Sequence, residues 1–122
     1  RNEIVGRALG ALHGRPAHPW TLEELAHKVG ASRSALASRF MEYVGLPPMQ
    51  YLSQWRMQLA GTLLAGPTNL AVIAESVGYG SEAAFSRAFK KTVGVAPATW
   101  RAMRAGEASA PRRATAPTRR RS

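Results

Sequence analysis

The chain contains no cysteine and no aspartate. Without cysteine there is no disulfide framework and no thiolate zinc site, which suits a reducing cytoplasm. The three histidines, His13, His18 and His27, show neither the H-E-x-x-H spacing nor another ligand pairing. No Gly-rich phosphate loop and no G-x-S-x-G turn occurs. These gaps leave no catalytic constellation, so the chain is read as a non-enzyme with no cofactor and no metal site. No apolar run is long enough to span a membrane, and no signal-peptide pattern opens the chain. Convincing alternation of apolar and polar residues is also missing, which argues against strands.

What the sequence has in excess is positive charge. Seventeen Lys and Arg face seven acids, all glutamate, for a formal net charge of +10. Residues 1–105 hold 12 basic and 6 acidic residues; residues 106–122 hold five Arg and Glu107. The larger part is therefore basic in its own right. A basic domain attracts polyanions, nucleic acid before anionic membrane.

Apolar residues recur at helical spacing throughout. Ile4, Leu9 and Leu12 mark a first helix closing near Gly14, and Arg15–Trp20, with Pro16 and Pro19, reads as a loop. Thr21 and Glu24 form a T-x-x-E capping box opening a short helix that ends at Gly30. Ser32 caps the next, which runs to Val44 and stops at Gly45. Pro47-Pro48 opens a longer helix through about Leu64, since first-turn N–H groups lack intrahelical partners anyway. Asn69 caps a short helix to Val77, Ser81 caps another to Val93, and Pro97 opens a last one through about Arg104. From Ala105 onward large apolar residues vanish, so residues 106–122 are expected to form a disordered Arg-rich tail.

The pattern repeats. Leu25, Ala26, Val29 and Gly30 return as Ile73, Ala74, Val77 and Gly78, 48 residues on. Past the turn the offset is 49. Ser32, Leu36, Phe40, Val44, Gly45, Pro48 and Tyr51 return as Ser81, Phe85, Phe89, Val93, Gly94, Pro97 and Trp100. Each copy is a short helix, a Gly-containing turn and a longer helix. The small Ala lets the two helices cross closely and the Gly relieves the turn, which is helix-turn-helix chemistry.

In the longer helices, Leu36, Phe40 and Val44, and again Phe85, Phe89 and Val93, form the inward stripe. The outward faces then carry the base-contact candidates Arg33, Ser34, Ala37 and Ser38 in the first copy, and Glu82, Ala83, Ser86 and Arg87 in the second. Arg donates twice to guanine, Ser bonds a base or a phosphate, and Ala leaves room for a thymine methyl. Arg87 is the foremost base-reading candidate, a phosphate contact being the other reading; Arg33 also suits a phosphate. Glu82 favours the helix dipole and could also accept from a cytosine amino group. Ser32, Arg39, Ser81, Lys90 and Lys91 are the phosphate-contact candidates. Tyr51, Trp55 and Trp100 are read as core rather than as a stacking platform. Arg56 is expected to pair with an acid or cap a helix end.

The stretch Ile73-Ala74-x-x-Val77-Gly78-Tyr79-x-Ser81-x-x-x-Phe85-x-Arg87-x-Phe89-Lys90-Lys91-x-x-Gly94-x-x-Pro97-x-x-x-Arg101 resembles the signature of the AraC/XylS family of bacterial transcription regulators. Pro48-x-x-Tyr51-Leu52-x-x-x-Arg56-Met57-x-x-Ala60-x-x-Leu63-Leu64 is similar to that family's linker helix. The resemblance covers about residues 3–104. It implies an all-α fold of about seven helices, with helix-turn-helix units over 3–46 and 67–104 joined by a linker helix over 47–65. Together these make a DNA-binding domain over 1–105. It also implies that recognition helices 32–44 and 81–93 enter successive major grooves of one double-stranded DNA site, about 34 Å apart. A cytoplasmic, nucleoid-associated protein is implied, with RNA polymerase as a partner and no membrane. The Arg1 start fits a longer regulator with an upstream effector-sensing domain, through which it would dimerise. One departure stands out: the family often has Arg at the place of Ser38, matching Arg87. The neighbouring Arg39 lies about 100° further round, so the halves are expected to read DNA unequally. The competing readings are a non-specific nucleic-acid or chromosome-binding protein, the DNA-targeting module of a repair enzyme, and a duplicated helical hairpin without a DNA role.

Overall fold

The computed structural model describes residues 2–109. Among them are seven helices and no strand: α1 Glu3–Gly14, α2 Leu22–Val29, α3 Arg33–Val44, α4 Pro48–Leu64, α5 Leu70–Ser76, α6 Glu82–Val93 and α7 Pro97–Ser109. No helix among these residues is long and apolar enough to cross a membrane.

Local chemistry explains where the helices start. Side-chain oxygens of Asn2, Thr21, Ser32, Asn69 and Ser81 each accept a first-turn backbone N–H, at 2.9–3.1 Å for the shortest bond in each case. Each such cap stabilises its helix by about 1 kcal/mol. The capping box at Thr21 is used differently from expectation. The Glu24 amide donates to Thr21 Oγ1 at 3.0 Å, but the Glu24 carboxylate meets His18 Nε2 at 2.7 Å. The loop brings His18 within reach, and an imidazole N–H competes well for a carboxylate.

The repeat seen in the sequence is also a repeat of hydrogen bonds. Gly30 N donates to His27 O and Ala31 N to Ala26 O; Gly78 N donates to Glu75 O and Tyr79 N to Ala74 O, each 48 residues on. Beyond the turn, Leu36 N to Ser32 O and Phe85 N to Ser81 O stand 49 apart. The extra residue therefore lies between Tyr79 and Ser81, at Gly80. Gly30 and Gly78 both adopt positive φ, 74° and 101°. A Cβ on Gly30 would meet nothing within 4 Å. Gly30→Ala is therefore expected to cost only the left-handed backbone penalty, about 1–2 kcal/mol, read from the urea midpoint at unchanged m.

Two cores share α4 as a wall. The first gathers Val5, Ala8 and Leu12 of α1, Leu25, Ala26 and Val29 of α2, and Leu36 and Phe40 of α3 with Trp20 and Leu52. The second gathers Met57, Ala60 and Leu64 of α4, Ile73, Ala74 and Val77 around α5, and Phe85 and Phe89 of α6. Buried Ala26 and Ala74 allow the close crossings within each unit. Tyr51 and Trp100 pack against these cores at half burial, as does Leu59.

Two expectations change. Val93 does not belong to the inward stripe; it is 40% exposed, because it is the last residue of α6 before left-handed Gly94 turns the chain away. Its counterpart Val44 does pack against the first core. The last helix also runs beyond Arg104 to Ser109. The sequence 105–109 has no proline, and Arg104 reaches Glu107 one turn on, at 3.9 Å, so helix continues without a core beneath it. Residues 106–109 are thus helical, and the remainder of the expected tail, 110–122, lies outside the described residues.

Candidate nucleic-acid interface

The outward faces of α3 and α6 follow from where their phenylalanines are buried. Phe40 and Phe85 are fully enclosed and Phe89 nearly so, which turns the opposite sides to solvent. On α3, Arg33, Ser34, Ser38 and Arg39 are exposed and Ala37 is half-buried; on α6, Glu82, Ala83, Arg87, Lys90 and Lys91 are exposed and Ser86 is half-buried. The two cap residues Ser32 and Ser81 are exposed as well. Their hydroxyl oxygens accept from Ala35 N and Ala84 N, at 3.1 and 3.0 Å. That leaves the Ser81 O–H proton to donate outward, the polarity a phosphate requires, while the Ser32 hydroxyl also lies 3.5 Å from Ser34 Oγ, where either can donate.

The basic side chains divide into two groups by what they touch. Arg7 donates to Val29 O at 2.9 Å, satisfying the end of α2. Arg101 donates to Leu64 O at 3.0 Å and Thr68 O at 2.6 Å, closing the end of α4. Cations at helix C-termini also favour the dipole. Arg104 lies over the Trp100 ring at 5.0 Å. Arg56, expected to pair with an acid or cap a helix end, does neither. It donates Nε to Pro16 O at 2.8 Å and Nη2 to His18 O at 2.9 Å, both in the loop after α1. By contrast Arg33, Arg39, Arg87, Lys90 and Lys91 make no salt bridge among the described residues. Their positive charge is left for an external anion.

Sequence reasoning missed Met41, which is 48% exposed. It stands one turn along α3 from Ala37 and Ser38, and corresponds to Lys90 in the second unit; Glu42 corresponds to Lys91. Hydrophobic stripe reading gives no sign of it, because an apolar residue off the stripe looks like a scattered surface one. The 49-residue offset is the signal that would have found it. The face of α3 therefore offers small, apolar and one acidic group where α6 offers three cations.

Tyr79, in the turn before α6, is half-buried. Burial pushes its hydroxyl above the ordinary value, while the Arg56 cation beside it pulls the other way. Trp55 Nε1 is buried without a hydrogen-bond partner, its ring 4.5 Å from that of His13. Among the described residues no group of three or more His or Glu side chains comes together to hold a metal.

The helix-turn-helix domain family matches residues 25–103, from the middle of α2 into α7. The chain belongs to the AraC-type helix-turn-helix family. An AraC-like protein of Streptomyces antibioticus is 50% identical over 99 residues, which are 80% of this chain and 33% of that protein. The HTH-type transcriptional regulator AlkR of Acinetobacter baylyi is 43% identical over 98 residues, 80% of this chain and 32% of that protein. The C-terminal domain of AraT, a response regulator from Geobacillus stearothermophilus, superposes with a TM-score of 0.80 at 32% identity, covering 84% of this chain and 86% of that one. The chain thus spans about a third of the length of these curated relatives. As an AraC-type domain it is not an enzyme.

Proposed function

We propose that this chain is the sequence-specific DNA-binding module of a transcription regulator, with α3 and α6 as its recognition helices. The observation that carries this reading is the doubled unit. Two helix-turn-helix turns with matching hydrogen bonds each present a polar outward face, and the second face holds cations with no internal salt bridge. In this reading the helices enter successive major grooves of one duplex. Arg33, Ser34, Ala37, Ser38, Glu82, Ala83, Ser86 and Arg87 contact base edges, while Ser32, Arg39, Ser81, Lys90 and Lys91 hold phosphates. The matched relatives are about three times as long as the matched stretch, and in this reading the module belongs to a longer regulator. Its further part would sense an effector and dimerise, with RNA polymerase as partner, in the cytoplasm at the nucleoid.

Selection from a randomised duplex library tests the reading. The chain is expected to enrich a site of two half-sites about one helical turn apart, and the α6 half-site is expected to hold more information. Equal information in both halves would remove the proposed asymmetry between Arg87 and Ser38. Arg87→Ala is expected to cost about 1–3 kcal/mol on the selected site and little on random DNA. Equal loss on both would make Arg87 a phosphate contact. Across a salt series, a gap between selected and random DNA below about tenfold at moderate salt would favour the non-specific reading.

A further inference from the structure

We propose that Arg56 is a positioning residue that locks the two helix-turn-helix units at a fixed mutual angle, and so sets the spacing of half-sites the domain accepts. The second part of this statement rests on the DNA-binding reading above; the first does not.

The place of Arg56 in the fold is the starting point. Leu52 of α4 belongs to the first core, and Met57, Ala60 and Leu64 belong to the second. The changeover from one unit to the other falls in the single helical turn that holds Arg56. A linker helix crossing between two separate cores leaves each unit able to rock about it, since small interfaces permit relative motion by default.

Arg56 reaches both sides of this joint. Its Nε and Nη2 donate to Pro16 O and His18 O, 40 and 38 residues earlier in the first unit. Its Cζ also lies 5.6 Å from the centre of the Tyr79 ring, in the helix-turn-helix turn of the second unit. A Cβ built on Gly78 would lie 2.8 Å from Arg56 Cζ. The turn glycine thus serves twice: it adopts φ 101° and it makes room for the guanidinium. From Tyr79 the contact passes on to the Phe85 ring, 5.9 Å away, in the first turn of α6. A loop of unit one is in this way connected through one side chain to the recognition helix of unit two.

The chemistry requires arginine. Its planar fork can satisfy two carbonyls while the rest of the group packs on a ring, whereas a lysine ammonium is a single point on a flexible stem. The partners are two neutral carbonyls and an aromatic ring; among the described residues no carboxylate makes a salt bridge with Arg56. Charge neutralisation therefore does not account for its placement.

The absence of cysteine makes a direct test clean. Spin labels are placed at Tyr43→Cys and Thr92→Cys, two exposed sites at the ends of α3 and α6. Their distance distribution is measured in the full chain without DNA by electron double resonance. With Arg56 present a narrow distribution is expected, and Arg56→Ala and Arg56→Lys should each widen it about twofold or more. Circular dichroism and amide exchange within each unit control for folding. An unchanged width in both variants, with both units folded, overturns the lock. If Arg56→Ala fails to fold, Arg56→Lys decides the matter. The consequence for DNA is read on three duplexes: the selected site, the same site with its spacing changed by one base pair, and the α6 half-site alone. Wild type is expected to prefer the selected spacing about tenfold, and the variants to lose most of that preference while holding the half-site alone as before. Uniform weakening on all three would mean a merely structural role. A wild type that binds the selected site no better than random DNA would instead refute the DNA-binding reading, leaving the distance measurement to judge the lock.

Discussion

Phe85→Ala is expected to destabilise the domain by about 3–5 kcal/mol, and to do so mainly in the second unit. Phe85 is fully buried, with its ring 5.9 Å from that of Tyr79 and 5.7 Å from that of Phe89. It packs with Ile73, Ala74 and Val77 and with Met57 and Leu64 of α4. Removing the ring leaves a cavity that rigid helices on three sides cannot close. A domain of this size has about 5–15 kcal/mol of stability in total, so the loss is a large share. Because Phe85 has no part in the first core, amide exchange should quicken over residues 70–104 while residues 22–44 keep their protection. Even acceleration along the whole chain would show that the two cores unfold as one unit. Phe85→Leu, which keeps most of the volume, should cost about 1–2 kcal/mol.

Gly78→Ala should cost about 2–4 kcal/mol, clearly more than Gly30→Ala, although both glycines stand at matching positions in the turn after the short helix of each repeat. The left-handed backbone penalty is common to the two positions. At Gly30 the space beyond Cα is open, whereas at Gly78 a methyl group meets the Arg56 guanidinium at 2.8–2.9 Å. That guanidinium is held by two carbonyl bonds of 2.8 and 2.9 Å, so it cannot yield without breaking one. Urea denaturation of the two variants measures the difference. In an Arg56→Ala background the cost of Gly78→Ala should fall to that of Gly30→Ala, a coupling that a double-mutant cycle reads directly. Equal costs for the two glycine variants in the native background would show that the close approach carries no energy.

Much of this fold was legible before any coordinates. The caps Thr21, Ser32, Asn69 and Ser81, the turn glycines 30, 45 and 94, the positive φ of Gly78 and the Pro47-Pro48 start of α4 all act within four or five residues of themselves; only the room Gly78 leaves for Arg56 is long-range. Local hydrogen bonding and backbone sterics are nearly context-free, so residue type and order suffice. The duplicated spacing added the pairing of helices within each unit, and burial of Phe40, Phe85 and Phe89 then oriented the outward faces.

The candidate interface was legible on the same ground, with gaps. Ser34, Ser38, Arg87 and their neighbours could be placed outward because a helix has one inward stripe, and that stripe is periodic. Met41 escaped because exposure of an apolar side chain has no periodic mark. Val93 was misplaced because periodicity does not register where a helix runs past its partner and ends.

By itself, then, the sequence determined the helices, their ends, the doubled helix-turn-helix unit and the excess of positive charge. Only the tertiary structure decided which arginines are consumed internally. Arg7, Arg56 and Arg101 find carbonyls 22 to 40 residues away, and Glu24 turns to His18 instead of back to its own cap. An arginine has no sequence period and no fixed direction, and its long stem lets it choose among distant acceptors. Its partner is settled by whichever unsatisfied carbonyl the packing of helices brings within reach, and in this domain that choice made Arg56 a contact between two units that share a single helix.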